Sequence, residues 1–149
     1  MVTIDRATAT DAGVISEMLG EIEEYYGGQN APGDLDQIRH ALFGDRPVAT
    51  VLLARDEDAE VVGMASYSFL WPAAGADTSL YLKELFVRAS ARRRGVAGAL
   101  MAALRKAAAE AGCSRVEWTA DRDNPPALAF YAALGVASED DKLIYRLQK

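Results

Sequence analysis

The hydrophobic and polar residues of the chain follow two alternating periods, one of about two residues, typical of strands, and one of about 3.6, typical of helices. Val2 and Ile4 alternate with polar neighbours, whereas the apolar residues from Val14 onward recur at helical spacing until Gly27 and Gly28 interrupt them. In chain order, the first half predicts a strand over 2–6, a helix to about Tyr26, a helix over 34–43, and strands over 48–55 and 60–70. The last two of these strands are predicted to form an antiparallel hairpin.

The second half begins with a dense apolar run over 80–87, which is typical of a buried central strand. A helix is predicted to begin at Val96, and a strand to follow over 115–120. Asn124 is a good N-cap residue, and the proline after it favours the first turn of another helix. The apolar residues near the C-terminus predict a last strand within 136–147 that closes the sheet.

Composition narrows the class of protein. At 149 residues, half of them hydrophobic, the chain can bury most of its apolar surface, and we expect a single domain over 1–149. The net charge of −6 is unfavourable for binding a nucleic acid duplex and would suit a cationic small substrate, although acidic surfaces are also common for solubility. Cys113 is the only cysteine, which excludes an internal disulfide and fits a reducing cytoplasm. No signal segment follows Met1 and no stretch could span a membrane, so a cytoplasmic location is expected.

The connection after the strand over 80–87 carries three consecutive arginines, Arg92, Arg93 and Arg94, followed by Gly95. Backbone N–H groups at the start of a helix, beside guanidinium groups, form a site for a polyanion such as a pyrophosphate. An ordinary strand-to-helix turn whose arginines face water would show the same spacing. The segment is neither a P-loop, which needs Gly-Lys-Ser/Thr, nor a dinucleotide fingerprint, which needs three spaced glycines.

Two segments of the chain resemble the same superfamily. Arg92-x-x-Gly95-x-Ala97 resembles the coenzyme A pyrophosphate loop, Gln/Arg-x-x-Gly-x-Gly/Ala, of the GNAT superfamily of acetyl-CoA-dependent N-acetyltransferases. The second is similar to that superfamily's Asn-x-x-Ala-x-x-Phe-Tyr-x-x-x-Gly segment, with these residues in register: Asn124, Ala127, Phe130, Tyr131 and Gly135. The opening over 4–11 also resembles the usual entry of this superfamily, so the resemblance covers essentially the whole chain.

The resemblance implies an α/β (α+β) single-domain GNAT fold, with a mixed, mostly antiparallel central sheet, a β-bulge in the central strand and helices on both faces. A bulge leaves ladder groups unpaired, and in this superfamily such groups hold the pantetheine arm and the acetyl carbonyl. The implied cofactor is acetyl-CoA, with coenzyme A as product, and no metal ligand set is predicted. The resemblance assigns cofactor binding to Leu85, Phe86, Val87, Arg92, Arg93, Arg94, Gly95, Val96, Ala97, Asn124 and Tyr131.

Acetyl transfer to an amine has three chemical requirements. The amine must lose a proton before it attacks, the thioester oxygen needs hydrogen-bond donors as its negative charge develops, and the departing thiolate benefits from a proton. The resemblance places the N–H of Leu85 near the acetyl oxygen and makes Tyr131 the general acid; Tyr131 could otherwise be a tyrosine on a helix surface. Glu84 is the candidate general base, acting directly or through water, and could otherwise be a salt-bridged or solvent-facing strand residue.

The central strand is nearest to that of the spermidine/spermine N-acetyltransferase-like group, which reads Y-L-E-D-L/F-F/Y-V, whereas residues 81–87 read YLKELFV. Lys83 stands where that group has its first acid, and Trp71-Pro72-Ala73-Ala74 replaces its Asp-Pro-Trp-like substrate segment. These two departures put a polyamine substrate in doubt but leave the acetyl-transfer chemistry unaffected. Some of the acids and tyrosines over 21–26 could line a substrate cleft or simply face water, and His40 is expected at the surface.

The sequence therefore predicts an acyltransferase that moves an acetyl group directly to the primary amine of a small molecule, such as a diamine, polyamine, amino acid or antibiotic. Within enzymes, the alternative is acetylation of a protein N-terminus or lysine. A non-catalytic acyl-CoA-binding domain on the same fold is the alternative from another class. No nucleic acid or membrane partner is expected, and the resemblance alone implies a homodimer.

Overall fold

The structure is a computed structural model that describes residues 1–149, and its backbone divides into two compact parts, residues 1–118 and residues 119–149. The first part contains a five-stranded sheet and three α-helices. Its elements are β1 (Thr3–Arg6), α1 (Ala12–Tyr25), α2 (Leu35–Phe43), β2 (Thr50–Arg55), β3 (Val61–Leu70), β4 (Ser79–Val87), α3 (Val96–Glu110) and β5 (Arg115–Glu117). Short 3-10 turns over Ala9–Asp11 and Ala89–Ala91 precede α1 and α3.

Local sequence signals place the two helices of the first half. The Thr8 amide donates to the Asp11 carboxylate at 2.8 Å, an interaction typical of a capping box ahead of α1. At α2, the amide of Gln37 donates to the carboxylate of Asp34 at 2.9 Å, which satisfies one of the donors that a helix start leaves unpaired. His40 on α2 is exposed, as predicted.

The strands lie in the order β1-β2-β3-β4-β5. β1 to β4 pair antiparallel with one another in this order, whereas β5 pairs parallel with β4. This confirms the predicted mixed, mostly antiparallel sheet. β5 is shorter than the strand predicted over 115–120, because only Arg115–Glu117 pair with β4.

The sheet is covered on both faces within the first part. On one face, Ile15 and Met18 of α1 are fully buried against Leu53, Met64 and Phe86 of the strands. On the other face α3 packs against β2, β3 and β4, and its Val96, Leu100 and Leu104 are buried. Because successive residues of a strand point to opposite faces, the apolar runs in β2 and β3 supply both cores.

The start of α3 lies unusually close to the sheet at Gly63. A Cβ atom on this residue would lie 3.0 Å from the carbonyl oxygen of Phe86 and 3.0 Å from a methyl group of Val96. Glycine at this position therefore lets the first turn of α3 approach the end of β4 closely. This contact fixes where the connection between β4 and α3 begins.

The second part contains one helix, α4 (Pro125–Ala133). Asn124 caps it as predicted, accepting a hydrogen bond from the Ala127 amide at 3.3 Å. The strand predicted within 136–147 is wrong, because this segment has no regular secondary structure. A strand needs a neighbour for its backbone groups, so apolar composition alone does not make one. The apolar residues on which that prediction depended are exposed: Leu143, Ile144, Tyr145 and Leu147.

None of the helices has the length and apolar character needed to span a membrane.

The close approach at Gly63 predicts an asymmetry between two glycines. Gly63→Ala should lower the free energy of unfolding by about 1–3 kcal/mol, because the added methyl group must displace backbone or the start of α3. Gly13→Ala, on α1 where a Cβ meets nothing within 4 Å, should instead raise it by about 0.5–1 kcal/mol through helix propensity. Urea unfolding of both variants measures the difference, and a neutral Gly63→Ala would contradict the close packing.

Candidate active site

The central strand β4 is interrupted by a β-bulge at Lys83. Glu84 pairs with Ser66 of β3 and Leu82 pairs with Tyr67, so Lys83 has no partner across the ladder. A bulge of this kind bends the strand and breaks the regular order of its hydrogen bonds. The bulge that the resemblance implied is therefore present, and it lies directly before Glu84.

Beyond the bulge, the backbone groups of β4 alternate between its two neighbours. The amide of Arg88 donates to the carbonyl oxygen of Val62 at 2.9 Å, which marks residues 62 and 88 as a hydrogen-bonded pair. In an antiparallel ladder such pairs alternate with pairs that exchange no hydrogen bonds. By this alternation, the N–H and C=O groups of Leu85 and Val87 point away from β3.

On the side of β4 that faces away from β3, its neighbour β5 is short. β5 pairs only with Ser79–Tyr81, and Tyr81 opposite Glu117 is the last pair. Within the first part of the chain, no strand lies beside Leu82–Val87 on this side. We call the backbone of Leu85 and Val87 on this side the open edge of β4. Backbone donors and acceptors here are placed to receive an extended, amide-containing chain.

The side chains of β4 around the open edge have different surroundings. Glu84 is half-buried and lies on the same face of the sheet as Phe86, because alternate residues of a strand share a face. This is the face that α1 covers. Leu85, between them, lies on the face that α3 covers. Phe86 is 7% exposed and packs in the core, and its backbone groups face β3, so it does not contribute to the open edge.

The connection that follows β4 has an unusual backbone. Arg93 and Gly95 both have positive φ angles, of 64° and 76°. We call residues 92–97 the arginine turn. Arg92, before them, is extended (φ −69°, ψ 153°), so the two left-handed residues turn the backbone from the end of the 3-10 turn into α3.

The first amides of α3 have no hydrogen-bond partner within the helix. The first hydrogen bond of α3 runs from the Ala99 amide to the Gly95 carbonyl at 3.0 Å, so the amides before it have no partner within the helix. Ala97 and Gly98, just inside the helix, have small side chains that leave the backbone approachable. The turn therefore presents a set of backbone donors at the positive end of the helix dipole.

The three arginines of the turn have different surroundings. Arg92 donates through Nε to the carbonyl oxygen of Val87 at 3.1 Å, and Arg94 donates through Nη2 to the carbonyl oxygen of Ser90 at 3.0 Å. Arg93 makes no hydrogen bond or ion pair within the protein, and its side chain is exposed. Arg93 is therefore the guanidinium group of this turn that no internal contact restrains.

The predicted residues Asn124 and Tyr131 lie in the second part of the chain. Asn124 uses its side-chain oxygen to cap α4, and Tyr131, on α4, is half-buried with its ring centroid 5.4 Å from that of Phe130. The structure thus places Glu84, Leu85, Val87 and the arginine turn in the first part, and Asn124 and Tyr131 on and beside one helix in the second.

Cys113 follows α3 and is partly buried. Burial raises the pKa of its thiol above the ordinary value of 9.0, and the nearby carboxylate of Asp77 raises this pKa further. Since the thiolate is the nucleophilic form, this cysteine is poorly suited to carry an acyl group at neutral pH.

A model of the acetyltransferase (GNAT) family matches residues 15–136. The chain belongs to this family. Members of this family are acyltransferases that use acetyl-CoA as the acetyl donor. The match includes the bulged strand, the arginine turn and α4.

Individual relatives agree with the family assignment. The L-ornithine N5-acetyltransferase of Arabidopsis thaliana is 32% identical over 78 residues, which are 52% of this chain and 34% of that protein, so the chain spans about a third of its length. An integron cassette protein from the mobile metagenome of V. cholerae has a TM-score of 0.86 at 31% identity, covering 99% of this chain and 93% of the other. An aminoglycoside acetyltransferase from an uncultured soil metagenomic sample has a TM-score of 0.84 at 22% identity, covering 99% and 97%, which shows the shared fold.

Sequence reasoning missed the contacts that hold the site in place. Arg88, at the end of β4, forms an ion pair with Glu21 of α1 at 2.9 Å, and the side chains are 21% and 29% exposed. Glu21 is therefore committed to Arg88, although the sequence had left it as a candidate for a substrate cleft. A lone arginine beside a strand and an acid on a distant helix carry no local signal that they will meet.

Proposed function

We propose that the protein is an acetyl-CoA-dependent N-acetyltransferase that transfers the acetyl group directly to the primary amine of a small molecule. The observation that carries this proposal is the continuity of two backbone features. The open edge of β4 leads through Arg88 and the 3-10 turn Ala89–Ala91 to the arginine turn, so one extended ligand with amides at one end and a diphosphate at the other would meet backbone partners at both ends. Coenzyme A has this chemistry.

In this arrangement the diphosphate binds at the arginine turn. The amides at the start of α3 donate to its oxygens, and the helix dipole favours the negative charge. Arg93 adds an unrestrained cation, and Gly95 and Ala97 keep side chains out of the way. Backbone groups therefore provide most of the proposed contacts with the diphosphate, and Arg93 is the main side-chain contribution.

The pantetheine arm then lies along the open edge of β4. One of its carbonyl groups would accept a hydrogen bond from the N–H of Val87, whose own carbonyl oxygen accepts from Arg92, and Asn124 is proposed to contribute a further polar contact, as the family pattern implies. The thioester carbonyl lies beside the N–H of Leu85. This amide is held in a buried strand and would donate to the oxygen as negative charge develops in the transition state.

Two side chains are proposed to move protons. Glu84, acting directly or through one water, accepts the proton that the ammonium group must lose before it attacks. Its place on the face that α1 covers, directly after the bulge, supports this role. Tyr131 is proposed as the general acid that protonates the departing thiolate of coenzyme A, as its position in the family segment implies.

Direct transfer is favoured over a covalent acyl-enzyme intermediate. The only thiol of the chain is Cys113, whose pKa is raised by burial and by Asp77, so little thiolate is present at neutral pH. The carbon–nitrogen bond therefore forms as the amine attacks the thioester carbonyl, and the carbon–sulfur bond breaks with a proton passing to sulfur. No residue carries the acetyl group in between.

A small cationic amine is the proposed acceptor. The net charge of −6 favours the approach of a cation, and two relatives are named for ornithine and aminoglycosides, which are both amines. The central strand also resembles that of the spermidine/spermine N-acetyltransferase-like group, which makes diamines and polyamines further candidate acceptors. Lys83, however, is exposed on the bulge and would repel a polycation. We therefore favour an acceptor with few positive charges.

Three further proposals accompany this function. Residues 1–149 form one catalytic domain, which the family match across both compact parts supports. The protein acts as a homodimer, as the family resemblance implies, and it acts in the cytoplasm, where a lone cysteine stays reduced.

The function is tested by mixing the purified protein with acetyl-CoA and a panel of amines, and by following the release of thiol. The panel contains amino acids such as ornithine, short diamines, spermidine and an aminoglycoside. Thiol release that depends on one of these amines, with a mass gain of one acetyl group on it, supports the proposal. Tight binding of coenzyme A with no release for any amine would favour a non-catalytic acyl-CoA-binding domain.

Removal of the positive charge of Arg93 should weaken cofactor binding, and more so at low ionic strength. Arg93→Gln is expected to raise the Kd for coenzyme A by about fivefold at low ionic strength, because an exposed cation near a phosphate contributes on the order of 1 kcal/mol. This effect should shrink at high salt, where the charges are screened. Calorimetric titration measures it, with Arg39→Gln on α2 as the control, and an unchanged Kd at low salt would argue against the arginine turn as the diphosphate site.

Removing the proposed general acid should slow turnover without loosening the cofactor. Tyr131→Phe is expected to lower kcat by about 10²-fold or more, the usual contribution of a positioned acid, and to leave the Kd for coenzyme A nearly unchanged. Steady-state rates and calorimetry measure the two quantities. Tyr145→Phe, at an exposed position, serves as the control. A wild-type rate in Tyr131→Phe would exclude the acid role.

A further inference from the structure

Two arginines of the connection between β4 and α3 contact one side of α1. Arg88 donates from Nε to both carboxylate oxygens of Glu21 at 3.1 Å and from Nη2 to one of them at 2.9 Å. Its Nη2 also lies 3.4 Å from the carboxylate of Glu17, and its Nη1 donates to the carbonyl oxygen of Val61 at 2.9 Å. Arg88 thus joins α1 to β3 and to the end of β4 with charge-assisted hydrogen bonds.

Arg92 makes the second contact, one helical turn further along α1. Its guanidinium carbon lies 5.1 Å from the ring centroid of Tyr25, the last residue of α1, and 5.9 Å from that of Phe86. The rings of Tyr25 and Phe86 lie edge to face with centroids 6.3 Å apart. A guanidinium group at this distance from aromatic rings is attracted to them, and here its Nε also donates to the Val87 carbonyl.

The spacing of these residues makes the two contacts one structure. Glu17, Glu21 and Tyr25 are four residues apart and so lie along one side of α1. Arg88 and Arg92 are also four apart and flank the 3-10 turn Ala89–Ala91. The last two turns of α1 are therefore attached at two points to the segment that leads into the arginine turn.

We propose that Arg92 is a positioning residue for the cofactor, which couples the arginine turn to the C-terminal end of α1 through the ring of Tyr25. This inference rests on the proposed function. Arg92 fixes both the first residue of the turn and the Val87 carbonyl of the open edge, so the turn is already ordered before a ligand arrives. Ordering that is present in the unbound protein need not be provided by the binding energy of the ligand, and affinity rises accordingly.

A direct phosphate contact by Arg92 leads to a different expectation. To reach an anion at the start of α3, the guanidinium group would have to leave the Tyr25 ring and the Val87 carbonyl. Removal of the ring would then release Arg92 for the phosphate, and affinity for coenzyme A would stay the same or increase. The positioning role requires the opposite change.

Calorimetric titration of the full chain with coenzyme A separates the two roles. Tyr25→Leu is expected to raise the Kd by about two- to fivefold, the fold-change that corresponds to an exposed cation–π contact. Tyr25→Phe keeps the ring face and should bind like the wild type. Arg92→Met should also bind more weakly, and the double variant with Tyr25→Leu should be no weaker than Arg92→Met alone, because the two residues act through the same contact.

Hydrogen exchange supplies a readout that a merely structural role would not change. Coupling is reciprocal, so coenzyme A should slow exchange of the amides of Tyr26 and Gly27, which are hydrogen-bonded to Ile22 and Glu24 at the end of α1. The slowing should be present in the wild type and in Tyr25→Phe, and absent in Arg92→Met. Exchange in the unbound proteins provides the reference for each variant.

The outcomes distinguish this inference from the function on which it rests. Failure of the wild type to bind coenzyme A would overturn the proposed function and this coupling with it. If the wild type binds and Tyr25→Leu binds equally well or better, or if exchange at the end of α1 does not respond to the ligand, the positioning role of Arg92 is overturned and the acetyltransferase proposal stands.

Discussion

The structure depends on one constraint, which is that the backbone groups of a buried strand must have partners. β4 meets this constraint on one side with β3 and, over its first three residues only, with β5 on the other. Beyond Tyr81, the first part of the chain provides no second neighbour for β4, and a β-bulge at Lys83 interrupts the ladder with β3. The protein thereby keeps a central strand with an exposed row of donors and acceptors, which would be costly in a fully buried setting and is useful where a ligand with amides can complete the ladder.

The surrounding elements stabilise this incomplete strand. On one face of the sheet, α1 packs against Phe86, and on the other face the start of α3 is in close contact with Gly63. Arg88 connects β3, β4 and α1 through hydrogen bonds. α1, α3 and β3 thus support β4 on its two faces and along one edge. Along the other edge, Arg92 contacts the Val87 carbonyl and no strand of the first part lies beside Leu82–Val87.

Much of this arrangement follows from local sequence signals, and the rest depends on contacts between distant residues. The helix start at Asn124 was predicted correctly, because capping involves only a few neighbouring residues. The arginine turn was recognisable because its residues are adjacent. The segment over 136–147 was misjudged because strand formation depends on a partner, which composition does not supply. The pairing of Arg88 with Glu21 joins residues that are distant in sequence, and the different roles of Arg92 and Arg93 depend on backbone angles that three identical residues do not reveal.

The backbone conformation of Arg93 lowers the stability of the folded chain at this turn. Its φ of 64° lies in the left-handed region, where a residue with a Cβ is less stable by roughly 1–2 kcal/mol and glycine is not. Folding alone would favour glycine there. With arginine, the turn keeps an exposed cation at this position that no side-chain contact restrains. The fold meets the conformational cost, and the charge stays available to a ligand at the start of α3.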